Sequence, residues 1–261
     1  MAIPKIIHYC WFGNNPIPKR LQYCIQTWKT YLPDYRFYLW NESNTTFDCD
    51  FIRTAYSAKK WAFVADYIRI KAVYDYGGIY LDTDMLLLKS LDDFLDNECF
   101  FVAEHHLSIG VGIFGAEIHN PFIKLCLDTY YNPKVTLSTS PKRVTDTYLK
   151  EYNAQKNFKE TINLDGLTIY KPVYFYALPY QKLYDIHNYK KYISKKSYGL
   201  HLWEGSWHSY SELMLLRRKE YKKAIKKIGN SIFKEKKLNL TYVRKIIIAL
   251  RDSFITKDAF R

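Results

Sequence analysis

Two carboxylates one residue apart, Asp82 and Asp84, stand inside the apolar run GGIYLDTDMLLL, residues 77–88. Burying an ion without a partner is costly, so acids in such a setting are paired or hold a cation. On an extended backbone the two side chains point to the same side. There they repel, and one must take a proton unless a cation lies between them. Hard divalent cations such as Mg²⁺ and Mn²⁺ accept carboxylate and phosphate oxygens together. A solvated loop could carry the same triplet by chance, but it would rarely have apolar residues on both sides.

Upstream, Asp66 and Arg69 are three residues apart in a helical stretch and share a face. Their neighbours WAFVA and YIRI are strongly apolar, so this pair is not a salt bridge in open solvent. Trp11 ends the apolar segment KIIHYCW, where an exposed indole could stack on a nucleobase.

The elements that must position these groups are legible in outline. KIIHYC reads as a buried strand stopped by Gly13 and the Asn-Asn-Pro turn. Residues 19–31 read as a helix and 35–40 as a second strand. A helix over 59–76 is closed by Gly77 and Gly78. Short strands follow at 79–81, 85–88, 99–104 and 110–117, and Pro121 opens a helix to about Tyr131. Residues 140–150 read as a further helix, and LTIYKPVYFYALPY as extended. Strands alternating with helices predict an α/β sheet, mostly parallel. Ligands then bind beyond the carboxyl ends of strands, where Trp11, Asp82 and Asp84 fall.

The chain has 261 residues, 48% of them hydrophobic and 18% aromatic, enough for a sizeable core. Five cysteines without CxxC spacing argue against a zinc or disulfide framework and for a reducing compartment. No signal peptide and no membrane span is legible, so the expected location is cytoplasmic. Charge is uneven. Residues 217–261 hold 15 Lys+Arg and 4 Asp+Glu, whereas the first 216 residues hold 24 and 22. Two apolar rows step along this basic tail by 4, 3 and 4: Tyr221, Ile225, Ile228, Ile232 and Val243, Ile247, Leu250, Phe254. Residues 1–208 are expected to be a catalytic body and 209–261 a basic amphipathic helical extension. The extension is expected to dock on an anionic membrane surface, the inner face of the cell membrane.

PKIIHYCWFG, FVADYIRIKAVYDYGGIYLDTDMLLL and HNPF together resemble the DxD sugar transferases of glycosyltransferase family 32, which include capsular-polysaccharide transferases. The core is also similar to the glucosyltransferase domains of clostridial toxins. The resemblance covers residues 3–147 with strong motifs and runs more loosely to about 208. It implies a GT-A-like, Rossmann-related mixed sheet flanked by helices. It also implies a metal-dependent transferase that moves a sugar from a nucleotide-sugar donor, UDP-linked by preference, to a saccharide acceptor, with retention. The acceptor would be a lipid-linked unit of a capsular or cell-surface polysaccharide, and the cofactor Mn²⁺ or Mg²⁺.

By resemblance, Trp11 stacks on the uracil, Asp66 binds donor-sugar hydroxyls with Arg69 beside it, and Tyr80 lies near the nucleotide. Asp82 contacts ribose and sugar, and Asp84 ligates the metal with Asp82. The family closes its catalytic domain with a His and a Ser-Trp pair, which HLWEGSWHS supplies as His201, Ser206 and Trp207. His201 is the candidate third ligand, with His208 as its competitor. Ser206 falls to the donor site and Trp207, like Asp66, Arg69 and Asp82, to catalysis. The stretch TSPKRVT has Ser140 where the family more often has glycine. Two rival readings follow from the residues. An aspartyl-phosphate hydrolase also uses D-x-D, but expects Thr or Val where Leu86 stands and a motif near the N-terminus. A nucleic-acid binder would suit pI 9.3, but the basic excess lies outside the D-x-D body and no RNA- or DNA-binding motif is present.

Overall fold

A computed structural model describes residues 2–131, 138–204, 211–233 and 238–255. The chain forms two compact units, Met1–Ala177 with Ser194–His201, and Leu178–Ile193 with Leu202–Arg261.

The first unit starts with β1 (Ile6–Cys10), α1 (Lys19–Tyr31) and β2 (Arg36–Trp40). The β1 and β2 strands run parallel from Ile6↔Arg36 to Cys10↔Trp40. Helix α1 spans the residues its pattern predicts. Its buried Trp28 donates from Nε1 to Met85 O at 2.5 Å, and Thr27 Oγ1 accepts from Leu87 N at 3.0 Å. A helix the sequence reading passed over, α2 (Asp50–Ser57), precedes α3 (Trp61–Tyr76). The third helix is apolar around most of its circumference because α2, α4 (Pro121–Asp128), α5 (Ser140–Glu151) and β1 pack on it. It stops at Gly77, whose φ is +61° and whose N–H reaches Val73 O at 2.9 Å. A Cβ on Gly78 would stand 2.7 Å from Ile6 O, so only glycine lets β3 (Gly78–Leu81) start beside β1.

The remaining strands are β4 (Met85–Leu87), β5 (Cys99–His105), β6 (Ser108–Ala116), β7 (Ile162–Leu164), β8 (Leu167–Tyr170) and β9 (Gly199–His201). Seven of them form one sheet in the order β2-β1-β3-β6-β5-β8-β7, and β4 pairs with β9 in a separate ribbon. The expected mixed α/β sheet flanked by helices is what forms. It is not mostly parallel, however: β2–β1, β1–β3 and β5–β8 are parallel, while β3–β6, β6–β5 and β8–β7 are antiparallel. Tight turns force the last two of these pairings. The β5 and β6 strands are joined through His106 and Leu107. The β7 and β8 strands are joined by Asp165-Gly166, with Gly166 at φ +72°. The stretch expected to be extended after Leu167 is strand only to Tyr170, because Pro172 turns the chain into a short 3₁₀ helix, Pro172–Tyr174.

The second unit holds the 3₁₀ segment Tyr180–Tyr192 and the helices α6 (Glu212–Arg217), α7 (Tyr221–Phe233) and α8 (Leu240–Ile255). Its core gathers Leu215, Leu216, Ala224 and Ala249. Arg218 is buried between Glu204 and Glu220 Oε1, the latter at 3.0 Å.

Candidate active site

The D-x-D is not extended. Asp82, Thr83 and Asp84 form the turn between β3 and β4, closed by Met85 N donating to Asp82 O at 2.9 Å. The carboxylates converge through that turn rather than through strand alternation. Asp82 N is anchored on Gly112 O at 2.8 Å, so the middle of the large sheet fixes where the turn begins.

The β4–β9 ribbon brings the third group. Met85 pairs with His201, Leu86 with Leu200 and Leu87 with Gly199. His201 Nε2 thereby lies 3.3 Å from Asp84 Oδ1 and 3.7 Å from Asp82 Oδ2. One ligand atom from each of the three residues falls within 4.8 Å of the others. Two carboxylate oxygens and an imidazole nitrogen at that separation suit a divalent cation such as Mn²⁺ or Mg²⁺. Burial acts to discharge His201, but Asp84 and Asp82 outweigh it and lift the imidazole to about 10. Burial also acts to raise Asp82, yet Arg69, then His201 and Tyr80, hold its carboxyl below the usual range.

Arg69 connects the two acid pairs read from the sequence. It is 3% exposed and bonds Asp66 Oδ1 at 3.2 Å, Asp82 Oδ1 at 3.2 Å and Val111 O at 3.0 Å. Its guanidinium stands 4.8 Å from the centre of the Tyr80 ring. Tyr80 is buried against Phe114 and donates from its hydroxyl to Asp82 Oδ1 at 3.0 Å. Asp66, on the same face of α3 as Arg69, accepts from the backbone N–H of Ser140 at 3.2 Å, at the start of α5. Burial pushes the Asp66 carboxyl up to about 6, with Arg69 and the Ser140 N–H pulling the other way. Trp11 follows β1 directly and remains partly exposed. Its N–H donates to Trp40 O at 2.9 Å and its indole Nε1 to Asn15 O at 2.5 Å.

Trp11, Asp66, Arg69, Tyr80, Asp82, Asp84 and His201 all belong to the first unit. Ser206, Trp207 and His208 lie outside the described residues. Several neighbours escaped the sequence reading. Tyr176 donates no obvious pattern, but its ring lies 5.3 Å from that of His201 and its hydroxyl accepts from Gly112 N at 3.0 Å. A Cβ on Gly112 would meet Tyr176 Oη at 2.9 Å and Asp82 Oδ2 at 3.1 Å, and one on Gly110 would meet Tyr176 Oη at 2.5 Å. Gly110 and Gly112 within the strand pattern GVGIFG are the available signal, since interior strand glycines mark close approach. Tyr130 bridges Asp66 O and Ser140 Oγ, both at 3.0 Å. Glu104, an acid at the end of the apolar β5 strand, is partly buried, and that burial raises its carboxyl.

Comparison with known proteins meets this geometry from another direction. Residues 18–101 match the family described as "Glycosyltransferase sugar-binding region containing DXD motif", and residues 115–228 the "Alpha 1,4-glycosyltransferase conserved region". Both matched regions are described as parts of glycosyltransferases. The first match holds Asp66, Arg69, Tyr80, Asp82 and Asp84, and the second holds Ser140, Tyr176 and His201. Among its glycosyltransferase relatives, human alpha-1,4-N-acetylglucosaminyltransferase is 28% identical over 158 residues, 57% of this chain and 45% of that protein. Inositol phosphoceramide mannosyltransferase 3 of Schizosaccharomyces pombe is 32% identical over 127 residues, 47% of this chain and 35% of that protein. Lactosylceramide 4-alpha-galactosyltransferase of Rattus norvegicus is 30% identical over 155 residues, 54% of this chain and 40% of that protein. The chain thus spans less than half the length of these glycosyltransferases.

Proposed function

We propose that this chain transfers a sugar from a nucleotide-sugar donor, UDP-linked by preference, to a hydroxyl of a saccharide carried on a lipid. The observation that carries the reading is the convergence of the D-x-D turn with His201, beside the buried Asp66–Arg69 pair at the carboxyl end of β3. Asp82, Asp84 and His201 would hold Mn²⁺ or Mg²⁺. A divalent cation bound there supplies positive charge against the diphosphate as the glycosidic bond breaks.

The protein's own groups do the rest. Asp66 is oriented by Ser140 N–H and Arg69 and offers carboxylate oxygens to sugar hydroxyls. Arg69, held on both sides by carboxylates, keeps the site's fixed charge in place without reorganisation. Trp11 offers a partly exposed indole to the base. The relatives support the finer reading by their names. Two are alpha-1,4 transferases, which favours an α-linked product and retention from an α-linked donor. Two act on ceramide-based lipids, which favours a lipid-linked acceptor, such as a cell-surface or capsular polysaccharide unit.

The test is a panel of nucleotide sugars scored for hydrolysis with Mn²⁺, with Mg²⁺ and with chelator. Cation-dependent release of the nucleotide from one donor is the expected result. No release from any donor, together with no thermal shift by UDP and Mn²⁺, overturns the reading.

A further inference from the structure

The second unit wears its helices inside out. On α7 the residues turned fully inward are Ala224 and Ser231, and on α8 they are Tyr242, Ala249 and Ser253. Four of these five are small. Large apolar residues lie one or two positions away and face out: Ile225 is 65% exposed, Val243 37%, Ile247 60% and Phe254 78%. The rows legible in the sequence are therefore real, but only Tyr221, Ile228 and Leu250 pack toward the core.

These exposed residues form one patch. Val243, Ile247 and Phe254 are spaced by four and seven along α8 and share a face. Phe254 stacks on Tyr221, with ring centres 6.3 Å apart, and Tyr221 Oη donates to the neighbouring Ser253 Oγ at 3.1 Å. The start of α7 thus lies beside the end of α8, and Ile225 follows Tyr221 by one turn on the same side. Exposed Lys222, Lys226, Arg244 and Lys245 flank the apolar residues, and among the described residues none of the four has a carboxylate partner.

We infer that this α7–α8 face is a docking surface for an anionic lipid bilayer. Large apolar side chains on the outside of a helix pair, edged by exposed lysine and arginine, match the interfacial helix: apolar arc in the acyl boundary, cations among the headgroups. Long basic side chains can reach up from such an arc to the phosphates. Among the described residues no helix is long and apolar enough to cross a membrane. The inference stands on the second unit alone and does not depend on the proposed sugar transfer.

Co-sedimentation of the full chain with vesicles tests it. The chain should pellet with vesicles of phosphatidylcholine and phosphatidylglycerol in equal parts, but not with phosphatidylcholine alone, and high salt should release it. Ile247→Ser with Phe254→Ser should lower vesicle partition at least about tenfold, with unchanged melting and unchanged donor hydrolysis. Arg244→Glu with Lys245→Glu should weaken binding to the mixed vesicles and flatten its salt dependence. The idea is overturned if the wild type ignores anionic vesicles, or if the serine variant binds them as the wild type does. It is also overturned if sedimentation velocity shows that the same serine substitutions break up a dimer, because the face then belongs to a second copy. Equal binding of wild type and serine variant to random RNA, with no vesicle binding, would assign the charge to a polyanion instead.

Discussion

His201 and Asp84 face each other 3.3 Å apart at the D-x-D end of the β4–β9 ribbon, at the Met85↔His201 pair. An imidazole from the end of the first unit and a carboxylate from its middle become neighbours through backbone pairing alone. That relationship organises the site's expected responses.

Asp84→Asn removes one of the two acids and keeps the side-chain size. Turnover should fall about a hundredfold or more, and the thermal shift produced by Mn²⁺ should vanish while circular dichroism stays unchanged. Normal turnover in saturating Mn²⁺ would remove Asp84 from the metal site.

Cation binding should release a proton. Without metal, the two aspartates lift His201 to about 10, so it is charged at neutral pH, whereas a metal-bound imidazole is neutral at the ligating nitrogen. Affinity should therefore climb with pH until about 10. In the metal-free protein the sign is opposite. A folded pKa above the ordinary 6.5 contributes stability that is full below 6.5 and lost as pH rises through about 10. Titration calorimetry in two buffers of different ionisation enthalpy measures the proton, and chelated samples melted across this range measure the stability. His201→Gln should abolish both effects.

Arg69→Met should destabilise the fold by about 3–5 kcal/mol, because it strands the buried Asp66 carboxylate and the half-buried Asp82 carboxylate. A side chain 3% exposed with partners on three sides is a structural as well as a functional group. Combining Arg69→Met with Asp66→Asn and Asp82→Asn should recover much of the stability and none of the turnover. Urea titration and donor hydrolysis separate the two readouts.

Gly112→Ala should lower turnover with a stability cost of about 1–3 kcal/mol. The new methyl would press on Tyr176 Oη at 2.9 Å and Asp82 Oδ2 at 3.1 Å. Adding Tyr176→Phe clears the hydroxyl but not the carboxylate. Activity should stay low even where melting improves. Full recovery would show that Tyr176, not Asp82, is what the methyl displaces.

Trp11→Ala should weaken UDP binding by about 1–3 kcal/mol, the range of a base stacked on an aromatic ring. Trp11 is only partly buried, so melting should move little. Loss of melting temperature with intact UDP affinity would make it a core residue.

Local patterns were legible and tertiary returns were not. The period of α1 and the glycine stop of α3 are encoded within a few residues, and both were read correctly. The Asp165-Gly166 hairpin is also local, but alternation of strands and helices elsewhere in the chain predicts a more parallel sheet than forms. The D-x-D geometry was read as extended because flanking β-formers hide a two-residue turn. His201 came from the family resemblance, since no periodicity links it to Asp84. Ser140 on Asp66 and Tyr176 beneath Gly112 are contacts between distant segments, which one sequence does not encode locally.

The three-rung ribbon also sets an order of assembly. The chain leaves the first unit after Ala177, contributes residues 178–193 to the second, and comes back for Ser194–His201. On a ribosome adding about 5–20 residues per second, the D-x-D turn is made about ten seconds before His201. During that interval β1, β3, β5 and β6 can already pair, and Arg69 is the cation available to Asp82. The unit can therefore fold first around an arginine. The Asp82–Asp84–His201 cluster is complete only when the returning strand closes beside β4.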